Sequence, residues 1–274
     1  MPFIQDGPDA SLTAAAVRQL CRDNELPTPS TAGWAPDCAQ ANIVILPAKY
    51  ADDFRTFCLR NPVPCPLLGE TKPGDPTVPS FLAKSSDIRT DCGRYNIYKD
   101  GQWVDNKTDV MEEWKDDSVA FFIGCSYSFE SALVANDLPL RHQEIHKMTP
   151  CYKTSVQLMQ AGIFSGRMVV SMRPYPADRV SDIQAITRSF SKAHGEPVGY
   201  GPEGAAKLGI QDVDGQKPDW GDATVMKEGE VAVYWGCGVS PQQAVLDSKI
   251  PGTVMCHQPG MMLVLDLKAK DVCE

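Results

Sequence analysis

The run Phe121 to Glu130, F-F-I-G-C-S-Y-S-F-E, ends an apolar stretch on thiol, hydroxyl and carboxylate groups. If the chain stays extended beyond Gly124, then Ser126, Ser128 and Glu130 share a face by the alternation of a strand. If it turns at once into helix, Ser126 and Glu130 still meet at the i, i+4 spacing. A carboxylate held beside a hydroxyl at a strand end can accept or return a proton. Gly124 would permit a tight exit or a close approach of ligand to backbone. The structural alternative is that Ser126 or Ser128 caps a helix carrying Glu130.

Further candidates follow along the chain. Arg141-His142 comes after Leu138-Pro139-Leu140, and Tyr152-Lys153-Thr154 after a second proline-limited turn. The guanidinium of Arg141 could clamp a carboxylate, His142 could exchange a proton near neutral pH, and Tyr152 and Thr154 could position a substrate oxygen. Arg173 closes Val169-Val170-Ser171-Met172 and offers either a carboxylate receptor at a strand end or an internal ion pair. In Trp235-Gly236-Cys237-Gly238-Val239-Ser240, backbone donors near Gly238 could face an anion, and Cys237 is either a nucleophile or an inert packing thiol. His257, in Cys256-His257-Gln258-Pro259-Gly260, suits acid or base work or a buried neutral role. Asp219 and Asp222 read first as turn residues, and a divalent cation, manganese or magnesium, could be held through Glu130, His257, Asp219 or Asp222 only if the fold converges them.

The elements that must position these groups alternate. Helical patterning covers Leu12 to Asp23, with Asp9 or Ser11 as cap, then Tyr50 to Leu59, Asp109 to Lys115 and Ala177 to Ala193. Strands are expected at Ile43 to Leu46, Val119 to Ile123, Met168 to Met172, Val231 to Trp235 and Met261 to Leu267, and Asp100-Gly101 marks a hairpin turn. Pro62 to Pro79 reads as a long ordered loop, a wrap around the core or a rim over a site. The order predicts an elaborated α/β fold with a mixed sheet, as a single domain over 1–274 or two closely packed lobes joined near 105–118.

Composition narrows the partners. With 35 acidic against 26 basic side chains, net charge −9 and no basic block, nucleic acid is not an expected ligand. No apolar run reaches spanning length and the first residues do not form a leader, so the expectation is a protein without membrane association, in the cytoplasm, a mitochondrial location remaining open. The 10 cysteines show neither a CxxC pair nor a compact metal framework, which favours buried thiols over five disulfides.

Taken together these residues resemble a bacterial hydro-lyase family that is also similar to the cyclase portion of eukaryotic D-glutamate cyclase. The resemblance runs from Pro29-Ser30-Thr31-Ala32-Gly33 and Gln40-Ala41-Asn42, through Asn61-Pro62 and Cys65-Pro66-Leu67-Leu68, to His257-Gln258-Pro259-Gly260. Its core is Gly124 to Glu130, Arg141-His142, Tyr152-Lys153-Thr154, Ser171 to Pro174 and Cys237 to Gln242. It implies an intracellular α/β homo-oligomeric enzyme acting on a small carboxylic acid, with D-glutamate closing to 5-oxo-D-proline as the named candidate. Two departures accompany it: Gly199-Tyr200 and Met261 stand where related sequences more usually carry histidine.

Overall fold

The computed structural model describes residues 8–273. In chain order the first elements are α1 (Ala14–Arg22), β1 (Cys38–Pro47), α2 (Ala51–Arg60), β2 (Leu67–Glu70), β3 (Tyr95–Lys99), β4 (Gln102–Lys107) and β5 (Ser118–Gly124). After a 3₁₀ turn at Ser126–Phe129 come α3 (Glu130–Val134), α4 (Arg141–Glu144), β6 (Cys151–Gln157), β7 (Arg167–Pro176) and α5 (Val180–Arg188). The chain closes with β8 (Gly199–Tyr200), α6 (Gly201–Leu208), β9 (Glu230–Gly236), α7 (Val239–Asp247), β10 (Thr253–His257) and β11 (Leu263–Lys268).

The expected α/β architecture is built on two sheets whose named strand pairings are all antiparallel. The seven-stranded sheet has the order β2-β5-β1-β10-β3-β4, with β11 also beside β1, and the four-stranded sheet has the order β6-β7-β9-β8. β1 reads as an almost continuous apolar run because both its faces are covered. Ala39, Ala41, Ile43 and Ile45 enter one core, Val44 and Leu46 another, by simple strand alternation. The first of these cores also takes Tyr175, Val233 and Trp235 from the second sheet, so the sheets bury apolar surface against each other.

Local differences from the expected elements have identifiable causes. Thr13, not Asp9 or Ser11, caps α1 by accepting the Ala16 N–H at 3.2 Å, while Ser11 bonds to Asp9. Asp109 to Lys115 is a turn: Asp109 takes the Met111 N–H, Lys107 pairs with Glu112 and Glu113, and the Trp114 indole donates to Gly74 O. These side-chain bonds compete with helical ones. The helix expected over 177–193 is cut to α5, with 3₁₀ turns on either side. The proline-rich passage wraps the core and contributes β2 to the first sheet edge. The Asp100-Gly101 hairpin is present, both residues at positive φ (51° and 76°), the backbone that matches strand twist. Residues 108–117 join β4 to β5 within the same sheet. All ten cysteines are free thiols, and among the described residues no helix is long and apolar enough to cross a membrane.

Candidate active site

β7 supplies the cation. On its inner face Ser171, Arg173 and Tyr175 follow one another by strand alternation, opposite Trp235 and Val233 of β9. The carboxylate arrives from the first sheet, where β5 ends at Gly124 and the 3₁₀ turn delivers Glu130 as the first residue of α3. Arg173 Nε donates to Glu130 Oε1 at 3.0 Å and Nη2 donates to the same oxygen and to Ser126 Oγ at 3.1 Å. The guanidinium carbon lies 5.5 Å from the ring centroids of both Phe129 and Trp235. Arg173 is 1% exposed and Glu130 3%, so the pair is a desolvated charge pair, stabilised by direct bonds and by the aromatic faces.

α4 adds the titratable ring. His142 Nε2 is 3.2 Å from Glu130 Oε1 but off the hydrogen-bonding direction, which leaves both ring nitrogens buried without a hydrogen-bond partner. The ring stacks on Tyr127 at 6.0 Å, nearly parallel at 8°. Gln143 donates to Glu130 Oε2 at 3.2 Å, and the Tyr175 hydroxyl is another buried polar atom without a partner. Burial opposes the charge on Glu130, yet His142 and Arg173 together outweigh it and hold the carboxyl down at about 2. Unpaired polar atoms beside an ionised carboxylate form a latent receptor for a polar ligand. Arg173 Nη1 has only a 3.4 Å contact with Ser171 Oγ and is the guanidinium nitrogen most available to one.

Cys237 borders this centre at the turn from β9 into α7, half-buried, with its sulfur 3.8 Å from that of Cys151. Burial pushes the neighbouring Cys125 thiol up to about 12, whereas contact with Cys151, a Val239 N–H bond and the Arg173 charge bring Cys237 down.

Other candidate residues are placed elsewhere or already engaged. Arg141 points away from His142 and binds Glu230 at 2.7 Å, Glu144 at 2.7 Å and the Val225 carbonyl, which makes it an internal clamp. Tyr152 pairs in register with Val170, so it and Thr154 occupy the face of the second sheet opposite Arg173. There the Tyr152 hydroxyl donates to Asp212 at 2.9 Å and the Thr154 hydroxyl to Met168 O at 2.7 Å. Ser128 accepts the Gln40 N–H at 3.0 Å. The Gly124 N–H is spent on Pro66 O, and a Cβ there would lie 1.7 Å from Lys192 O; one on Gly238 would lie 2.1 Å from the Asn42 side chain. Close packing is therefore what these glycines serve.

His257 lies in the sheet interior. Its Nδ1 accepts the Ile43 N–H at 2.9 Å and the Gln242 amide at 2.8 Å, and burial lowers its pKa to about 4, so the ring is neutral at physiological pH. Asp219 and Asp222 accept backbone N–H groups of Lys153 and Met148. Glu130 faces Arg173 and His142 and these aspartates are turned to backbone N–H groups; among the described residues no group of three or more His, Cys, Asp or Glu side chains could hold a metal ion. Gly199 packs on α6, where an added Cβ would come within 3.1 Å of Leu208, and Met261 packs on Gly93. Two surface hollows, one near Gly93, Arg94 and Met261 and one near Tyr152, Lys153 and Asp212, do not include Glu130 or Arg173. The interior cluster is the stronger chemical candidate because only it combines an ionised carboxylate, a cation and an unpaired imidazole.

Ser171, Tyr175, Gln143, Tyr127 and Trp235 complete the centre; none had been given a site role from sequence, although Tyr127 and Ser171 stand in the matching motifs. The alternation Ser171, Arg173, Tyr175 along one strand was the available signal for two of them.

Comparison with known proteins bears on this centre. Residues 119–266 match the family described as D-glutamate cyclase. A Schizosaccharomyces pombe protein named "Putative hydro-lyase" is 47% identical over 252 residues, covering 91% of this chain and 83% of that one. Relatives of the same name from Azorhizobium caulinodans and Bacillus pumilus are 49% and 46% identical, covering 93% and 91% of this chain and 92% of each relative. A solved structure of a nitrogen repressor-like protein from Methanococcus jannaschii aligns over 95% of this chain and 97% of its own, at TM-score 0.40 and 9% identity.

Proposed function

This chain belongs to the D-glutamate cyclase family, and on that footing we propose that it is an enzyme that removes water from a small carboxylic acid, closing D-glutamate to 5-oxo-D-proline. The observation that carries the reading is the buried convergence of Glu130, Arg173 and His142, with unpaired donors beside an ionised base.

Arg173 Nη1 receives the substrate α-carboxylate. That contact draws guanidinium charge from Glu130 Oε1 and raises its basicity, so Glu130 takes a proton from the substrate ammonium. Glu130 passes this proton to an oxygen of the γ-carboxyl group, and the neutral amine, held close, attacks the γ carbon. His142 then relays a proton to the departing oxygen, which leaves as water, and recovers one from the nitrogen. The balance closes: the two hydrogens lost by nitrogen are the two that depart with oxygen. The access route we propose runs past half-buried Tyr127 and Gln143, which contact His142 and Glu130 respectively.

Time-resolved NMR and mass detection with D- and L-glutamate, each with EDTA or with added manganese or magnesium, tests the reading. Expected is 5-oxo-D-proline from the D isomer alone, insensitive to EDTA, with kcat/KM reduced on the order of 100-fold or more in Glu130→Gln and Arg173→Lys. Tyr152→Phe, on the opposite sheet face, should retain turnover. No product in any arm from a folded sample overturns the cyclase assignment and points to another carboxylic acid or to binding without turnover.

A further inference from the structure

The helical repeat gives α2 two faces. Phe54, Phe57 and Cys58 point inward, where Phe164 meets the rings of Phe54 and Phe57 at 5.2 and 6.2 Å, while Asp53, Thr56, Leu59 and Arg60 point to solvent. The 159–164 turn is fastened to the end of this helix by Asn61, which donates to Met159 O and accepts the Met159 N–H, each at 2.8 Å. Four large apolar side chains are thereby grouped around the C-terminal end of α2: Leu59 is 68% exposed, Met159 63%, Ile163 43% and Val63 40%. A grouped apolar surface of this kind, rimmed by polar side chains, marks a contact site. The two charges beside it lack ionic partners. Among the described residues Asp53 makes no hydrogen bond or ion pair and lies against Gly162, and Arg60 donates to the Gln160 carbonyl alone. Seven residues apart, they share one face of α2 about 10 Å from each other along its axis, with Thr56 between them. Trp103 and Val104 of β4 are also exposed, but β4 is an edge strand whose register slips against β3 and which carries Asp105 and Lys107, features that hinder strand-to-strand pairing.

We propose that the solvent face of α2 and the 159–164 turn form the interface with a second copy of this chain, the two α2 helices packing antiparallel about a two-fold axis beside Thr56. Charge complementarity selects this occupant and this orientation. A two-fold contact sets a surface against itself, so it needs both members of every pair on one patch. The face of α2 has them: its acidic end carries Asp53 and its basic end Arg60, and an antiparallel arrangement brings Arg60 of each copy to Asp53 of the other. A parallel arrangement would set like charges together and is disfavoured. Thr56, the small side chain between these ends, lets the helices approach at the axis. Leu59, Met159, Ile163 and Val63 supply the apolar area, and the two equivalent ion pairs at the rim fix the register.

The test is sedimentation velocity of the full-length chain from about 1 to about 100 µM. Expected is a dimer in the wild type and a monomer of unchanged circular dichroism in Leu59→Asp combined with Met159→Asp. Asp53→Arg and Arg60→Asp should each weaken the dimer at least about 10-fold, because each sets like charges together twice, and the two reversals combined should restore it to within about threefold of wild type. Thr56→Cys stands beside the axis, so a short bismaleimide should join two copies through it above the wild-type background. Val225→Cys, equally open to solvent but beside Arg141, should not be joined. A wild-type monomer at every concentration overturns the proposal. So does a dimer that survives the paired aspartate substitutions, or one that the double charge reversal fails to restore. Wild-type sedimentation and the Thr56→Cys cross-link decide the matter even where a charged variant does not fold. None of these readouts involves turnover, so their failure leaves the carboxylic-acid reading untouched.

Discussion

Replacing Arg173 with methionine removes the permanent cation that, with His142, keeps Glu130 ionised inside the protein. The two side chains are 1% and 4% exposed, so water screens the loss poorly. In the wild type Glu130 is held at about 2 against an ordinary 4.5, a gap equivalent to about 3 kcal/mol of proton linkage. Because the folded value is depressed, that stability is complete above pH 4.5 and is lost as pH falls toward 2. Without Arg173, burial is opposed by His142 alone and the carboxyl of Glu130 shifts upward, so protonation costs the folded state less than in the wild type. The expected cost of Arg173→Met is about 3–5 kcal/mol at pH 7, the figure for a buried charge stripped of its partner. Urea unfolding of wild type, Arg173→Met, Glu130→Gln and the double variant, from pH 7 down to about pH 4, measures it. The gap between wild type and Arg173→Met should narrow as pH falls, and the double variant should be more stable at pH 7 than Arg173→Met alone. A loss below about 1 kcal/mol, or one equal at both ends of the pH range, would refute the reasoning.

Two further outcomes follow from the same physics. His257, lowered from 6.5 to about 4 by burial, takes up its proton only after the unfolded chain has done so; its contribution is therefore complete above pH 6.5 and declines toward pH 4. The ring NMR shifts of His257 should stay flat from about pH 8 to about pH 5, and a midpoint near the ordinary value would contradict its place in the sheet. Gly124→Ala places a methyl 1.7 Å from Lys192 O, whereas Gly166→Ala meets nothing nearer than 3.7 Å. Thermal unfolding should show a cost of about 1–3 kcal/mol or more for the first and about 0.5 kcal/mol or less for the second.

Periodicity located β1, β5, β7, β9 and β11 and the bodies of α1, α2 and α5, because their burial repeats along the chain itself. Spacing also put Ser126 and Glu130 on one face, and Arg173 bonds to both. β6, β10 and α6 had no comparable signal: β6 exposes Lys153, Ser155, Val156 and Gln157, and α6 opens on Gly201-Pro202. Their form comes from ladder partners and from packing on the outer face of the second sheet.

What the amino-acid order determined by itself was a set of reactive side chains and the elements that carry them. Which of those side chains meet was decided by the sheets. Arg141 and His142 are neighbours in sequence, yet one binds Glu230 and the other faces Glu130, since successive residues on a short helix point in different directions. Tyr152 and Arg173 both lie on strands of the second sheet, and the register Tyr152 to Val170 puts them on opposite faces. Glu130 and Arg173, 43 residues apart, meet because the two sheets close over a shared core, a contact that no local pattern encodes.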